Sequence, residues 1–498
     1  MQTGTNVIRN ISFGALTWVG PMALSLIATP YIVDALGLAG YGIYALVLGI
    51  ISYSFNFGVG RAATKYVAEY QGTDERPKIG PIIASSLALS LALGAFAVIA
   101  LGLLAPWLVD NVLGIGSEYR GSAITALYIA SGVIVVTLLN QLFGSILQGL
   151  HRFDLYSKLF NLSNFAVVAG NLALALWGFD LTALLAWNLG VLAVSAILNA
   201  IASKRLLSDV SLFSGINGTA LKTVLFYTGG VVGYQLLGNV LLLFERGYIT
   251  RVLGSDQLTY YVVAMAIGLY LHGFSTSLLL AIAPVTSEQT DDKARLKKLY
   301  DRSTKLIAMI VVFVTAVLLV SGGEFLTLWM GPEFAREAAA ILKIHTITFA
   351  LLSIGGIAWF MREGLGVPKH NLIVSGICFV ITLSLMLATT ACGNTGMALS
   401  RLAGFSVMFF SIFAFERWLF GKVDLAFWLR NSIKLLIAAS LLALLLFVLL
   451  PMLPVGWPAY IASVACGGIL YCGILWFSGY VDASERNAIF SAIRSISA

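Results

Sequence analysis

Runs of about 20 apolar residues follow one another along almost the whole sequence, separated only by short polar segments. An α-helix of that length crosses the hydrocarbon core of a bilayer, where the backbone must satisfy its own hydrogen bonds. Charged residues make up 11% of the chain, compared with about 25% in soluble domains. The sequence therefore predicts an all-α integral membrane protein without a separate soluble domain.

We place about 14 transmembrane helices in the sequence, joined by short connections. A β-barrel is excluded because it needs short alternating strands separated by polar turns. The predicted spans are 11–33, 41–66, 80–105, 120–147, 155–177, 181–203, 222–246, 256–284, 303–321, 336–361, 370–391, 395–418, 430–450 and 458–478.

Lysine and arginine are distributed unevenly over the connections. With the N-terminus placed inside, most of the 30 Lys and Arg residues lie on or next to inner loops and tails. This is the asymmetry expected from the positive-inside rule, and one missed helix would destroy it. We therefore predict that both termini are cytoplasmic.

An internal repeat relates the two halves of the sequence. Segment 30–61 matches segment 247–278 at an offset of 217 residues, and each copy contains a helix end, a tight Leu-Gly turn and a second apolar helix. The identities exceed those expected by chance for this composition. They include Tyr31/Tyr248, Ile32/Ile249, Leu36/Leu253, Gly37/Gly254, Tyr44/Tyr261, Ile50/Ile267 and Tyr53/Tyr270.

The repeat continues at an offset of 215 residues, where Gly149-Leu150 matches Gly364-Leu365 and Gly178 matches Gly393. Two six-helix lobes of equal orientation are expected, related by a pseudo-twofold axis along the membrane normal. The predicted N-terminal lobe is 1–203, the connector 204–221 and the C-terminal lobe 222–420. Segment 421–498 then contains two extra C-terminal helices and a cytoplasmic tail.

Helix breakers correspond between the two copies. Pro21 aligns with Gly238 and Pro30 with Gly247. Paired interruptions in equivalent spans are typical of the moving, substrate-lining helices of transporters. Close packing of helices through small residues is the alternative explanation.

Arg61, Lys65 and Glu69 are spaced four residues apart in predicted span two and so share one helix face. A cation facing lipid costs at least a few kcal/mol, which favours a position facing the space between the lobes. We predict that Arg61 and Lys65 bind substrate, with Glu69 as counter-charge. Alternatively, Arg61 extends to the inner headgroups while Lys65 pairs with Glu69 at the surface.

Arg246, Arg401 and His272 are further predicted substrate ligands within the spans. Glu245 precedes Arg246 near the outer end of span seven and is its candidate counter-charge, although an interfacial anchor is an equally good explanation. The alternative for His272 is a neutral core histidine instead of a proton relay.

No catalytic or metal-binding motif is recognisable in the sequence. The four histidines have no zinc-binding spacing, and neither a P-loop nor a GxSxG motif occurs. We predict no metal, no cofactor and no enzymatic activity. The ionisable groups within the spans are mainly cationic, which favours an anionic substrate such as a diphosphate over a drug cation.

Several local sequences resemble those of a known transporter family: Leu36-Gly-Leu-Ala-Gly-Tyr-Gly42, Gly58-Val-Gly-Arg61, Lys65-Tyr-Val-Ala-Glu69 and Gln148-Gly-Leu150. With the repeat and the span count, the whole chain resembles the polysaccharide-transporter branch of the multidrug/oligosaccharidyl-lipid/polysaccharide exporter superfamily. This branch includes the O-antigen and exopolysaccharide repeat-unit flippases.

The resemblance implies a two-lobe bundle that works by alternating access in the bacterial cytoplasmic (inner) membrane. The implied cargo is an undecaprenyl-diphosphate-linked oligosaccharide, moved from the inner to the outer leaflet. In related flippases cavity arginines engage the diphosphate, and Arg61 is the best position for that role here. Spans thirteen and fourteen would form a groove for the lipid tail. The implied partners are membrane lipids and the polysaccharide polymerase and chain-length machinery, with no nucleic acid.

Two other functions stay open. One is a multidrug or small-solute antiporter of the same fold. The other is a membrane glycan polymerase or ligase, which usually needs a sizeable outer loop with arginines that this sequence lacks.

Overall fold

The computed structural model describes residues 2–54, 59–211, 215, 217–279, 282, 285–286, 292–367, 369–482 and 485–486, with only the backbone given for 2–19, 59, 227 and 229–234. All regular structure in these residues is helical, which confirms the all-α prediction. Within them, 12 helical segments are long and apolar enough to cross a membrane. The protein is therefore a multi-pass membrane protein. The predicted C-terminal tail lies mostly outside the described residues.

The helices follow one another with short connections. Those of the first half of the chain are α1 (Gln2–Tyr53), α2 (Val59–Tyr70), α3 (Ile79–Trp107), α4 (Ser117–Gly149), α5 (Phe153–Leu176) and α6 (Leu181–Leu206). Those of the second half are α7 (Gly218–Leu253), α8 (Ser255–Leu279), α9 (Lys293–Met330), α10 (Pro332–Gly364), α11 (Lys369–Ala388), α12 (Gly393–Phe420), α13 (Leu425–Met452) and α14 (Trp457–Phe477).

Helix α1 contains a break at Gly37, where φ is 69° and ψ is 165°. Glycine adopts this conformation readily because it has no Cβ. The break divides Gly20–Tyr53, which counts as one of the 12 candidate segments. Helix α7 is not among the 12, and only its backbone is described at 227 and 229–234. These two helices account for the difference from the predicted count.

The prediction of one continuous span at 41–66 is wrong. Helix α1 ends at Tyr53, Ser54 forms a bend, and α2 begins at Val59. Serine competes with the backbone for hydrogen bonds and so favours helix ends, and residues 55–58 lie outside the described residues. Helix α2 has 12 residues and is about 18 Å long, so it is too short to cross a hydrocarbon core of about 30 Å by itself.

The internal repeat is visible in the boundaries of the helices. Helices α4 and α10 begin and end 215 residues apart. Left-handed backbone conformations recur at equivalent positions in the two copies. The pairs are Gly37 (φ 69°) with Gly254 (105°), His151 (57°) with Gly366 (72°), and Gly178 (79°) with Gly393 (58°). The two sequence copies therefore build the same order of helices and turns.

Contacts divide the chain into two compact units, 1–262 and 263–498. In the first unit, α4 packs against α1, α2, α3 and α6, and α7 packs against α1 and α3. The core of the second unit contains buried residues of α8, α9, α10, α12, α13 and α14. The unit boundary lies within α8, whereas the predicted lobes follow the sequence repeat, so the division into lobes stays a prediction.

Candidate functional site

Arg61, Lys65 and Glu69 lie together on the exposed face of α2. Lys65 Nζ is 3.8 Å from Glu69 Oε2, and the two side chains are 45% and 52% exposed. The same ammonium lies 4.5 Å from the ring centroid of Tyr66. Ion pairs of this exposure contribute about 0–1 kcal/mol, so Lys65 can exchange Glu69 for another anion at little cost.

The opposite face of α2 fixes the helix against α4. Ala62, Ala63 and Val67 are fully buried, and Thr64 Oγ1 donates to the carbonyl oxygen of Ser145 at 3.1 Å. The absence of a side chain at Gly60 permits this approach, because a Cβ there would lie 2.3 Å from Ser145 Oγ. The basic face is therefore held in place by packing on the other side of the helix.

Arg61 lies in the first turn of α2, which begins at Val59. The first N–H groups of a helix have no partner within the helix, and the helix dipole makes this end positive. Helix starts are therefore favourable places for phosphate groups. The exposed guanidinium of Arg61 adds a full charge and several N–H donors at the same end.

Arg246 is half-buried on α7 and is directed at α1. Its Nη1 donates to the carbonyl oxygen of Ala45, and its guanidinium carbon lies 5.5 Å from the ring centroid of Tyr53. Gly49 leaves the space that this side chain fills, since a Cβ there would be 2.8 Å from Arg246 Cδ. These contacts tie α7 to α1.

Glu245 is buried and accepts a hydrogen bond from the hydroxyl of Tyr261 on α8. It thus points away from the α1 contact of Arg246, as expected for adjacent residues on a helix. The repeat partner of Tyr261 is Tyr44, whose buried hydroxyl accepts from Asn171 at 2.9 Å and from Asn188 at 3.3 Å. The matched tyrosines therefore both anchor polar side chains inside the first unit.

Arg401 and His272 meet in the second unit around the ring of Phe349. Arg401 is 2% exposed, and its guanidinium carbon lies 4.6 Å from the Phe405 centroid and 5.7 Å from the Phe349 centroid. The His272 and Phe349 ring centroids are 6.2 Å apart, and His272 Nδ1 lies 3.1 Å from Ser353 Oγ. Cation–π contacts of this kind stabilise a buried guanidinium.

The close approach of α8 to α10 depends on Gly268, where a Cβ would be 2.4 Å from Phe349 Cδ2. His345 lies in the same cluster and is fully buried, with its ring centroid 6.2 Å from that of Phe349. Among the described residues, no three His, Cys, Asp or Glu side chains converge as a metal ion would require.

The predicted ligands thus form three groups: the α2 face, the Glu245–Arg246 pair, and Arg401 with His272. Sequence reasoning missed two buried charges of the second unit. Arg362 donates from Nη2 to the carbonyl oxygen of Ser411 at 2.6 Å. Glu416 is fully buried. Nothing in the local sequence distinguishes either residue from a charge at a helix end.

Three donors converge on the buried carboxylate of Glu416. Tyr300 Oη donates at 2.8 Å, Trp428 Nε1 at 2.7 Å and the backbone N–H of Asp424 at 2.9 Å. Asp424 in turn caps α13, and the backbone N–H of Phe427, together with Lys297, lowers the pKa of its carboxyl group. This network fastens α9, α12 and α13 at one end.

The sequence matches known proteins over most of its length. A sequence model of the family described as "Polysaccharide biosynthesis protein" matches residues 7–290. A Shigella flexneri protein whose name designates an O-antigen transporter is 21% identical over 374 residues, which are 74% of this chain and 87% of that protein.

Solved structures share the fold. The structure titled "Lipid II flippase MurJ, inward closed conformation" has a TM-score of 0.68 and 14% identity, covering 94% of this chain and 97% of that chain. A multidrug resistance MATE family transporter of the MOP superfamily, in its inward-facing conformation, has a TM-score of 0.64 and 17% identity, covering 82% of this chain and 93% of that chain. These similarities show the fold.

Proposed function

Because the chain belongs to the polysaccharide biosynthesis protein family, we propose that it is a flippase for an undecaprenyl-diphosphate-linked oligosaccharide repeat unit. The cargo moves from the inner to the outer leaflet of the bacterial cytoplasmic membrane by alternating access. The O-antigen transporter name of the Shigella flexneri relative and the lipid II flippase fold support this proposal. The polysaccharide polymerase and chain-length machinery then receive the unit.

The observation that carries the proposal is the position of Arg61 in the first turn of α2. A diphosphate presents several anionic oxygens, which suit the forked donors of a guanidinium and the positive end of a helix dipole. Lys65 lies one turn further along the same exposed face and adds a second cation. Glu69, another turn along, holds Lys65 when no cargo is bound.

The other predicted ligands have a different place in this proposal. Arg246 contacts Ala45 and Tyr53, and Arg401 is enclosed by aromatic rings. Neither residue binds cargo without giving up these contacts. We assign the first contact with the diphosphate to Arg61 and Lys65. Arg246, Arg401 and His272 contact the cargo later, when the conformational cycle has released their present contacts.

The test is export of surface polysaccharide by a deletion strain that carries plasmid-encoded variants. We expect Arg61→Ala to reduce export about 10- to 100-fold, since a hydrogen bond to a charged group contributes about 1.5–3 kcal/mol, while the amount of protein in the membrane stays normal. Arg61→Lys retains the charge without the forked geometry and has an intermediate effect. Wild-type export by Arg61→Ala would remove Arg61 from the mechanism.

Arg120→Ala is the matched control. Arg120 is exposed in the same unit and pairs with Asp110 through two 2.7 Å hydrogen bonds. Its loss removes one positive charge without touching α2, so export should be unchanged.

In proteoliposomes, faster movement of a polyprenyl diphosphate sugar than of the monophosphate should depend on Arg61.

A multidrug or small-solute antiporter is the second candidate, favoured by the fold shared with a MATE family transporter. Drug resistance upon overexpression, together with normal surface polysaccharide in the deletion strain, would support it against the flippase.

A further inference from the structure

A pocket of about 510 Å³ lies in the second unit, where the start of α9, the start of α13 and the segment after α14 meet. Three of its lining residues are acidic, whereas six are basic. The basic residues are Lys297, Lys298, Arg302, Lys305, Arg430 and Lys434.

The three acids of the pocket lie against two of these lysines. Asp301 is 2.5 Å from Lys297 Nζ, and Glu485 is 2.7 Å from Lys305 Nζ. Asp482 also lies 3.6 Å from Lys305. The charge of Lys297 and Lys305 is thus balanced within the pocket.

Lys298, Arg430 and Lys434 provide positive charge beyond that balance. Lys298 and Arg430 are exposed, and Lys434 donates to the carbonyl oxygen of Gly479 at 3.0 Å. Arg430 and Lys434 are four residues apart on α13, so their like charges repel each other. In the part of the chain that the structure describes, no acidic side chain forms an ion pair with these three residues. An anion between them would relieve this repulsion.

The pocket lies at the ends of apolar helical segments, which places it at the level of the lipid headgroups. Lys305 directly precedes the apolar part of α9, and Lys434 directly precedes the apolar part of α13. Gly479 follows the last residue of α14, Phe477. Basic residues at such positions attract anionic headgroups.

An exposed apolar surface continues from the pocket along α13. Ile433 is 47% exposed and lies three residues after Arg430, and Ile437 is 51% exposed and lies three residues after Lys434, a spacing that makes side chains neighbours on a helix. Leu441 continues the surface at 42% exposure. A soluble anion makes no contact with such a surface, whereas the acyl chains of a phospholipid pack against it.

We propose that this pocket binds the phosphate group of an anionic glycerophospholipid between Lys298, Arg430 and Lys434, with the acyl chains along the exposed face of α13. The lipid is a resident ligand of the second unit, separate from the cargo. The proposal does not depend on the proposed flippase function, because its test measures binding and not transport.

The test uses the full chain purified in detergent and native mass spectrometry. Phosphatidylglycerol and phosphatidylcholine with identical acyl chains are added in equal amounts, and retained lipid is counted. We expect wild-type protein to retain phosphatidylglycerol preferentially. In the triple variant Lys298→Gln, Arg430→Gln, Lys434→Gln, the ratio of retained phosphatidylglycerol to phosphatidylcholine should be about tenfold lower. Each basic residue near the headgroups contributes to lipid binding.

The matched control is Lys293→Gln, Lys369→Gln, Arg417→Gln, which removes the same charges from exposed positions of the second unit outside the pocket. It should retain phosphatidylglycerol like the wild type. Equal retention by the two triple variants overturns the proposal. Displacement of the lipid by millimolar inorganic phosphate also overturns it, because the pocket would then be a site for a free anion. If the pocket variant fails to fold, Arg430→Gln alone is measured, and an unchanged lipid preference overturns the proposal.

Discussion

Arg61 and Lys65 lie on an exposed helix face, whereas Arg401 is buried between the rings of Phe349 and Phe405. Lys65 has the surface partner Glu69 at 3.8 Å and lies 4.5 Å from the ring centroid of Tyr66. Arg401 is enclosed by packed side chains, and its removal would leave both a void and rearranged aromatic rings.

The difference separates two uses of positive charge in a membrane protein. An exposed cation can change partners, since a surface ion pair contributes only about 0–1 kcal/mol. A buried cation has already lost its hydration and depends on fixed contacts around it. We therefore expect substitutions on α2 to change transport before stability, and substitutions around Phe349 to change stability first.

The largest effect on stability is expected for Arg401→Ala. It removes a large side chain that is 2% exposed, and large-to-small changes in a core cost roughly 2–4 kcal/mol. Arg401→Met fills the space without the charge and should recover most of that loss. The midpoint of thermal unfolding in detergent measures both. A stable Arg401→Ala that fails to transport would place Arg401 with Arg61 as a cargo ligand.

An intermediate effect is expected for Gly49→Val, because Arg246 lies between the two extremes in burial. A Cβ at position 49 would be 2.8 Å from Arg246 Cδ, and overpacking costs roughly 1–3 kcal/mol. Since the clash is with this side chain, Arg246→Ala in the same protein should relieve it. A double-mutant cycle of unfolding midpoints measures this coupling, and additive effects would contradict it.

The smallest effect is expected for the exposed pair formed by Arg76 and Asp209, whose closest atoms are 2.8 Å apart. The hydrogen bonds from Arg76 hold the pKa of Asp209 below its ordinary value. The pair therefore stabilises the fold fully above about pH 4, the unfolded value for aspartate, and this contribution disappears as pH falls further. Unfolding midpoints between pH 5 and pH 3 should fall more in the wild type than in Arg76→Gln. Identical pH curves would show that the pair contributes nothing.

The order of most helices and the positions of several turns were predictable from the sequence. Apolar runs predict spans because lipid leaves the backbone no other partner, and Gly37 and Gly254 mark turns that need a left-handed conformation. The repeat also related Tyr44 to Tyr261, both of which have buried hydrogen-bonded hydroxyl groups. The spans and turns are local features, so local residue patterns reveal them.

Contacts between helices distant in the sequence were not predictable in the same way. The interruption after Tyr53 was missed because the segment is apolar on both sides of it. The aromatic enclosure of Arg401 depends on Phe349, which is 52 residues earlier in the sequence. Spacing along a helix identifies which residues share a face, but not what packs against that face.

The carboxylate of Glu416 has a consequence for how the second unit responds to its surroundings. Two of its donors are uncharged side chains and the third is a backbone N–H group, and the carboxylate itself is fully buried. Dissolved ions weaken attraction between exposed charges much more than interactions in the interior. Changes in ionic strength should therefore have little effect on the junction of α9, α12 and α13. The neighbouring, partly exposed ion pair of Lys297 and Asp424 should weaken as ionic strength rises.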